Sequence, residues 1–292
     1  MTLTPKISII TPSFNQAQYL EQTIRSVLDQ NYPELEFIII DGGSSDGSQD
    51  IIRKYENSLS YWISEEDRGQ AHAINKGLVR ATGEIVAYIN SDDLYFPGAF
   101  STIAAYFSSH PDCNWLCGDT LIFGEGQTDR VISAEVPRSA AHALSWAYTA
   151  PQPGMFWKRS LLVDGFDERR RYCFDHELYV RLLLTGYKCE HLPVLLAGYR
   201  HHPTSKTVAE GDLFNREFDE IARIYENHLK GTARRWCVAT RHLRHSFAAS
   251  NSGDRGVAVT HLLSALLIHP EGILRRPFWG CFRRIIPIIT KV

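Results

Sequence analysis

Two neighbouring carboxylates, Asp92 and Asp93, follow the apolar run Glu84–Ile89. Adjacent carboxylates at a strand end can hold a hard divalent cation, which prefers oxygen ligands and shares phosphate oxygens. The same pair can instead cap the helix that follows. Asp41 ends a second apolar run, Leu35–Ile40, and precedes Gly42 and Gly43. Glycines let a ligand come close to the backbone. Asp41 could accept hydrogen bonds from a nucleobase or a ribose, or close an Asx turn. Asp46 lies in the same Gly/Ser/Asp loop. Neither Gly-x-Gly-x-x-Gly nor Gly-Lys-Ser/Thr occurs, so dinucleotide and P-loop readings are weak.

These acids need a scaffold, and the periodicity supplies one. Lys6–Thr11, Leu35–Ile40, Ser60–Ser64 and Glu84–Ile89 read as strands. Tyr19–Gln30, Ser48–Tyr55, Gln70–Val79 and Pro97–His110 read as the helices between them. Continuous apolar strands alternating with helices predict a largely parallel sheet covered on both faces, an α/β fold. In such sheets ligands bind beyond the carboxyl ends of the strands. Three strands end in polar clusters, Thr11–Asn15, Asp41–Asp46 and Asn90–Asp93, which should share one rim. Further on, Trp115–Phe123 reads as a strand and Ser139–Tyr148 as a helix. His176–Thr185 reads as an amphipathic helix stopped by Gly186, and Asp175 could cap it, favoured by the helix dipole. Helical patterns dominate after Lys206: Leu213–Leu229, Arg234–Ala249 and Gly256–Ile268.

The stretch ISIITPSFNQAQYLEQTIRSVLDQNYPELEFIIIDGGSSDGS, then DRGQAHAINKG, then ATGEIVAYINSDDLYFPGA, resembles the nucleotide-sugar-binding half of family 2 glycosyltransferases of the GT-A fold. The resemblance covers about residues 6–205 and is specific for the family, not for the sugar. It implies a GT-A type, Rossmann-like mixed sheet. It assigns Thr11, Pro12, Ser13 and Asn15 to the first donor loop, Asp41 to the base, and Asp46 to the same loop. Asp67 and Arg68 match the element before the helix carrying Asn75 and Lys76. Asn90-Ser91-Asp92-Asp93 matches the Asp-X-Asp metal element with an amide, Asn90, in first place. That leaves Asp92 as the leading ligand for Mg²⁺ or Mn²⁺, with Asp93 second. His202 matches a histidine that reaches metal or diphosphate in a closing loop, Tyr199–Thr207. Arg200 and Lys206 in that loop could neutralise the leaving group. Asp175 matches the family's catalytic acid and is the candidate general base, with Glu177 behind it. Gln152 and Trp157 resemble an acceptor-side element.

The resemblance thus implies an inverting, metal-dependent transferase. It would move a sugar from a nucleoside-diphosphate sugar to an acceptor hydroxyl, on a glycan, a lipid-linked carrier or another molecule. Cell-surface polysaccharide synthesis is the expected setting. The alternative is a catalytically silent nucleotide-sugar-binding module. A sugar-1-phosphate nucleotidylyltransferase would want a Gly-rich basic loop where this chain has Thr-Pro-Ser-Phe-Asn. The catalytic domain is expected over residues 1–208, with a helical, basic extension over 209–292.

Charge adds one feature. The 292 residues carry a formal net charge of -2, which argues against nucleic acid as a partner. Yet residues 231–292 hold ten Lys and Arg against Asp254 and Glu271, while residues 1–230 hold 21 bases and 31 acids. The tail segment RRPFWGCFRRIIPII interleaves arginine pairs with aromatic and branched side chains, a composition suited to an anionic membrane surface. Six scattered cysteines, no signal-like start and no run of 18 apolar residues lead to the expectation of a cytoplasmic protein, peripheral at most.

Overall fold

A computed structural model describes residues 4–126, 128–145, 148–206 and 210–271. The basic aromatic tail beyond Glu271, and Thr207 at the end of the expected closing loop, lie outside the described residues. The chain divides into two compact units. One is Met1–Arg138 with Tyr148–Glu217; the other is Ser139–Ala147 with Phe218–Val292.

The first unit is built on a mixed sheet. Strands β1 (Ile7–Ser13), β2 (Leu35–Asp41), β3 (Tyr61–Ser64) and β4 (Ile85–Tyr88) alternate with helices α1 (Ala17–Leu28), α2 (Ser48–Lys54) and α3 (Gln70–Arg80). After the short β5 (Leu94–Tyr95) and α4 (Ala99–Ser109) come β6 (Trp115–Gly124), β7 (Arg130–Ile132), β8 (Met155–Lys158), α6 (Phe174–Leu184) and β9 (Glu190–His201). Between β7 and β8 the chain enters the second unit as α5 (Ala140–Leu144). Among the described residues the strand order is β3-β2-β1-β4-β8-β6-β9-β5, with β7 on β6. The β3-β2-β1-β4 half is parallel, whereas β8 joins β4 and β6 antiparallel.

The apolar runs are continuous because both faces are covered. Ile7 and Ile9 of β1, with Phe37 and Ile39 of β2, pack on one side with Leu20, Ile24, Val27 and Phe100. Ile10, Ile38 and Ile40 point the other way, toward Ile74, Trp157, Phe174 and Tyr179. This is the period-two alternation of a strand between two helical layers. Helix α6 departs from the amphipathic expectation. Phe174, His176, Glu177, Leu178, Tyr179, Val180 and Leu182 are all buried, so most of its circumference faces protein. Four strands were not legible as such. β5, β7 and β8 have two, three and four residues, and β9 contains Pro193 and Gly198 with Val194 and Leu195 exposed. Tyr199–His201, expected in a loop, end β9.

At the amino ends of the strands a buried polar knot holds the sheet. Glu36 accepts from Lys6 (2.8 Å), Ser8 (2.5 Å), the Thr82 hydroxyl (2.8 Å) and the Thr82 N–H (2.7 Å). Burial opposes its charge, but these donors outweigh it and hold the pKa down to about 2. A carboxylate with a depressed folded pKa stabilises the fold above its unfolded value and loses that contribution as pH falls. Glu36→Gln is therefore expected to cost on the order of 2 kcal/mol at pH 7, solvent screening at half-exposed Lys6 included. The difference should shrink as pH falls from 4.5 toward 2; urea melts of both proteins at pH 7 and pH 3 check it.

In the second unit, α7 (Gly211–Tyr225) leads to the hairpin of α8 (Gly231–Asn251) and α9 (Arg255–Ile268). The first seven residues of α7, through Glu217, belong to the first unit. Asp254 caps α9 by accepting from the Val257 N–H (3.0 Å), and Ala239, Leu243, Ala258, Leu262 and Ala265 fill the hairpin seam. No helix among the described residues is long and apolar enough to cross a membrane.

Candidate active site

The parallel register brings Ser13, Asp41 and Ser64 side by side at the strand ends. Pro12 is tolerated in β1 because β4 pairs only Ile7–Ile10, so its missing N–H leaves no ladder bond unmade there. Asp41 is fully buried. Its carboxylate accepts from the Ser44 hydroxyl (2.6 Å), the Ser44 N–H (2.9 Å) and the Ser64 hydroxyl (2.6 Å). It thereby shapes the loop as an Asx turn does. Asp46 stitches this loop to the first one, accepting from the Ala17 N–H (2.8 Å) and from Ser48 N–H (3.0 Å) and hydroxyl (2.6 Å). Burial works against its charge, but these donors hold its pKa below the usual range. Asn15, at φ +51°, donates its N–H to the Ser44 hydroxyl (2.8 Å) and accepts from the Ser45 N–H (3.0 Å).

The hydroxyls of Thr11 and Ser13 are buried without a hydrogen-bond partner among the described residues. Phe14 is 60% exposed beside Gly42. A Cβ on Gly42 would come 2.7 Å from an oxygen of Asp67, so the glycine lets the Asp67 side chain come this close. Phe14 escaped the sequence reading. Its signal was an aromatic residue inside an otherwise polar strand-end cluster.

The second cluster separates the two adjacent acids. Asp93 is fully buried and accepts from the Arg200 N–H (2.8 Å) and the Asn90 side-chain amide (3.1 Å). Burial, and then the charge of Asp92, push its pKa well above the usual carboxylate range. Asp92 is partly exposed, and its Oδ2 lies 3.0 Å from Nε2 of buried His202. The ring of His202 packs on Tyr19, with centroids 4.7 Å apart, and its Nδ1 is 2.9 Å from the Thr204 hydroxyl. Arg200 lies over the rings of Tyr19 and Phe123 and donates to the Asp92 carbonyl (2.8 Å) and Gln22 (2.7 Å). Lys206 donates to Gln70 (3.0 Å), which in turn donates to Asn90 (2.5 Å). Ser91 is buried between these residues in sequence.

Among the described residues no group of three or more His, Cys, Asp or Glu side chains could hold a metal ion. Asp92 with His202 makes a two-donor set. That suits a hard cation which takes its remaining oxygens from a diphosphate and water.

The third part surrounds Asp175, in the first turn of α6. Its carboxylate accepts from the His176 N–H (2.7 Å). Burial raises its pKa to about 6 against the pull of backbone N–H groups, and the Glu217 charge adds to the rise. Around it stand Tyr88, Tyr148 and Tyr179, whose phenols feel the Asp175 charge. The Tyr148 hydroxyl meets His176 Nδ1 at 2.6 Å. Gln152 donates to the Tyr88 carbonyl (2.8 Å). Trp157 is fully buried in β8, and Glu177 is buried in an ion pair with Arg181 (3.2 Å), so both sit inside the wall of this region.

Asp67 accepts from the Gly69 N–H (2.7 Å) ahead of α3. From that helix Lys76 pairs with Glu65 (2.8 Å). Arg68 pairs with Glu168, and Asn75 clasps both backbone groups of Phe166 at 2.8 Å. Asp67 thus lies at the strand-end rim beside Gly42, while Arg68 and Asn75 hold the segment that leads to α6.

Comparison with known proteins matches residues 8–157 to the model of glycosyl transferase family 2. The putative teichuronic acid biosynthesis glycosyltransferase TuaG of Bacillus subtilis is 47% identical over 92 residues, 30% of this chain and 36% of that protein. The chain spans about a third to a half of the length of the first curated relatives it matches. The crystal structure of Staphylococcus aureus TarS 1–349 in complex with UDP-GlcNAc superposes with a TM-score of 0.68 at 19% identity, over 97% of this chain and 88% of that one. The mannosyltransferase PcManGT from Pyrobaculum calidifontis, in complex with GDP-Man and Mn²⁺, gives 0.60 at 19% identity, over 97% and 85%. With the family matched over half of its length and the GT-A fold shared with these structures, the chain belongs to glycosyl transferase family 2.

Proposed function

We propose that the chain moves a sugar from a nucleoside-diphosphate sugar to an acceptor hydroxyl with inversion, in the building of a cell-surface polymer. The observation that carries this reading is the position of Tyr88. At the carboxyl end of β4, its phenol is pushed well up by burial and then by the charges of both Asp175 and Asp93. One residue thus lies near both the candidate base and Asp93. In this reading the donor rests on the rim of Ser13, Asp41 and Ser64, with Phe14 and Asp67 flanking the base. Asp92 and His202 would hold Mg²⁺ or Mn²⁺, which when bound offsets the charge of the departing diphosphate. Arg200 and Lys206 add positive charge on the same side. Asp175 takes the proton of the acceptor hydroxyl as its oxygen attacks the anomeric carbon.

TuaG's name and the donors of the two solved structures support the class. Because those donors carry different bases, UDP and GDP sugars both belong in the test. A thermal-shift panel of UDP, GDP and their sugars, with and without Mn²⁺, is expected to pick out one base. That nucleotide should raise the melting temperature by about 5 °C at a hundred times its Kd, only with the metal. Turnover of the selected donor supports the reading. A nucleotide sugar bound without hydrolysis or transfer on any acceptor would make the chain a silent binding module.

A further inference from the structure

The segment that delivers Asp175 is held at both ends. Asn75 fixes its start at Phe166, as described above. Gly165, at φ +62°, makes room for that contact, since a Cβ there would come 2.7 Å from Asn75 Oδ1. At the far end, three successive backbone N–H groups converge on one carboxylate. Arg171, Tyr172 and Cys173 donate to Glu217 of α7 at 2.8, 2.7 and 2.6 Å. The Tyr172 ring rests on Phe214, with centroids 5.0 Å apart, and the Cys173 thiol donates to the Phe214 carbonyl (3.5 Å). Helix α6 begins immediately after, and Cys173 at its N-cap offers no side-chain cap of its own.

Resting on the reading of Asp175 as base, we infer that Glu217 is the positioning residue for that base. Its carboxylate fixes the backbone of Arg171–Cys173, and so fixes where the Asp175 carboxylate stands two residues later. Charge-assisted hydrogen bonds from three amides make a stiff clamp, and small displacements of a reacting group are costly in rate. Glu217 lies beyond residue 205, where the family resemblance ends, so motif reading had no hold on it.

Glu217 also acts on the chemistry of Asp175 through its charge. The titratable groups facing Asp175 are Tyr88 from β4, Tyr148 ahead of Gln152–Gly154, Cys173, His176 and Tyr179 of α6, and Glu217 from α7. Burial pushes the three phenols and the thiol up, so they stay neutral near pH 7. Glu217 disfavours ionisation of Asp175, second to burial among the effects that raise it.

The test uses the full chain with Glu217→Gln and Glu217→Ala. Hydrogen exchange at the Arg171–Cys173 amides is expected to quicken at least tenfold in Glu217→Ala and less in Glu217→Gln. With whichever nucleotide sugar of the panel the wild type turns over, kcat should fall about 10- to 100-fold. The donor KM, and the stabilisation by UDP or GDP with Mn²⁺, should stay unchanged. The acid limb of the pH–rate profile should move to lower pH in Glu217→Gln, a shift that a merely structural role would not produce. Carbon NMR of the Asp175 carboxyl reads the same shift without turnover. If the wild type transfers no sugar, the role of Asp175 fails, while exchange and NMR still report on the clamp. Unchanged exchange at Arg171–Cys173, or normal kcat with an unmoved Asp175 titration, would overturn the assignment. Should Glu217→Ala fail to fold, Glu217→Gln carries the test.

Discussion

Asp175→Asn is expected to lower transfer by about a thousandfold or more while leaving nucleotide binding intact. The asparagine can still accept from the His176 N–H, so the first turn of α6 keeps its geometry. What is lost is a group able to take a proton. The wild-type rate should rise with pH and level off above about 6, because Asp175 must be ionised to act and burial has raised its pKa to that value. The same shift has a stability consequence of opposite sign to that of Glu36. An acid whose folded pKa is raised binds its proton more tightly when folded, so stability falls as pH climbs from the unfolded value near 4 to about 6. Removing the charge relieves this penalty. Asp175→Asn should therefore be more stable than wild type at pH 7, by on the order of 2 kcal/mol, with no gain at pH 4. A variant that is more stable and nearly inactive would mark Asp175 as a group kept for chemistry. Normal turnover would remove it as the base.

The β1–β4 half was legible because each of its devices is local. Ile7–Ser13 and Leu35–Asp41 are buried on both faces, and that requirement writes itself as an unbroken apolar run ending in a polar cluster. The common rim follows from parallel register alone. What could not be read was the full work of each acid, because partners 20 or more residues away complete it. Asp41 is engaged by Ser64 across two strands, and Asp46 by Ala17 at the start of α1. The half of the site around Asp175 was harder still. β8 is too short for a period, and β9 delivers Arg200 and His202 only after a proline and an exposed stretch. The carboxylate that holds the entry to α6 arrives from α7, 42 residues after Asp175. No spacing rule links the two.

Asp92→Asn and Asp93→Asn, one position apart, are expected to fail in different ways. Asp92 is the acid that stands beside His202 Nε2 and is partly open. Replacing it takes the negative charge from the two-donor set. Transfer should drop by about two to three orders of magnitude, since one of the two proposed protein ligands is lost. Mn²⁺ should no longer add to the thermal stabilisation by nucleotide, while the apo protein melts as before. Asp93 does a different job. Its oxygens hold the Arg200 N–H and the Asn90 amide within the buried wall. An asparagine can keep the first of these contacts, but it turns an NH₂ toward the Asn90 NH₂, whose oxygen is already engaged by Gln70. A buried donor facing a donor costs about 1–3 kcal/mol. In Asp93→Asn this cost is opposed by relief of the penalty that burial and the Asp92 charge place on Asp93, so the variant is marked by a retained response to Mn²⁺ and not by its melting temperature. Melting curves of the two variants, each with and without nucleotide and Mn²⁺, separate a ligand from a wall. If Asp93→Asn loses the metal response and Asp92→Asn keeps it, the roles of the two acids are exchanged.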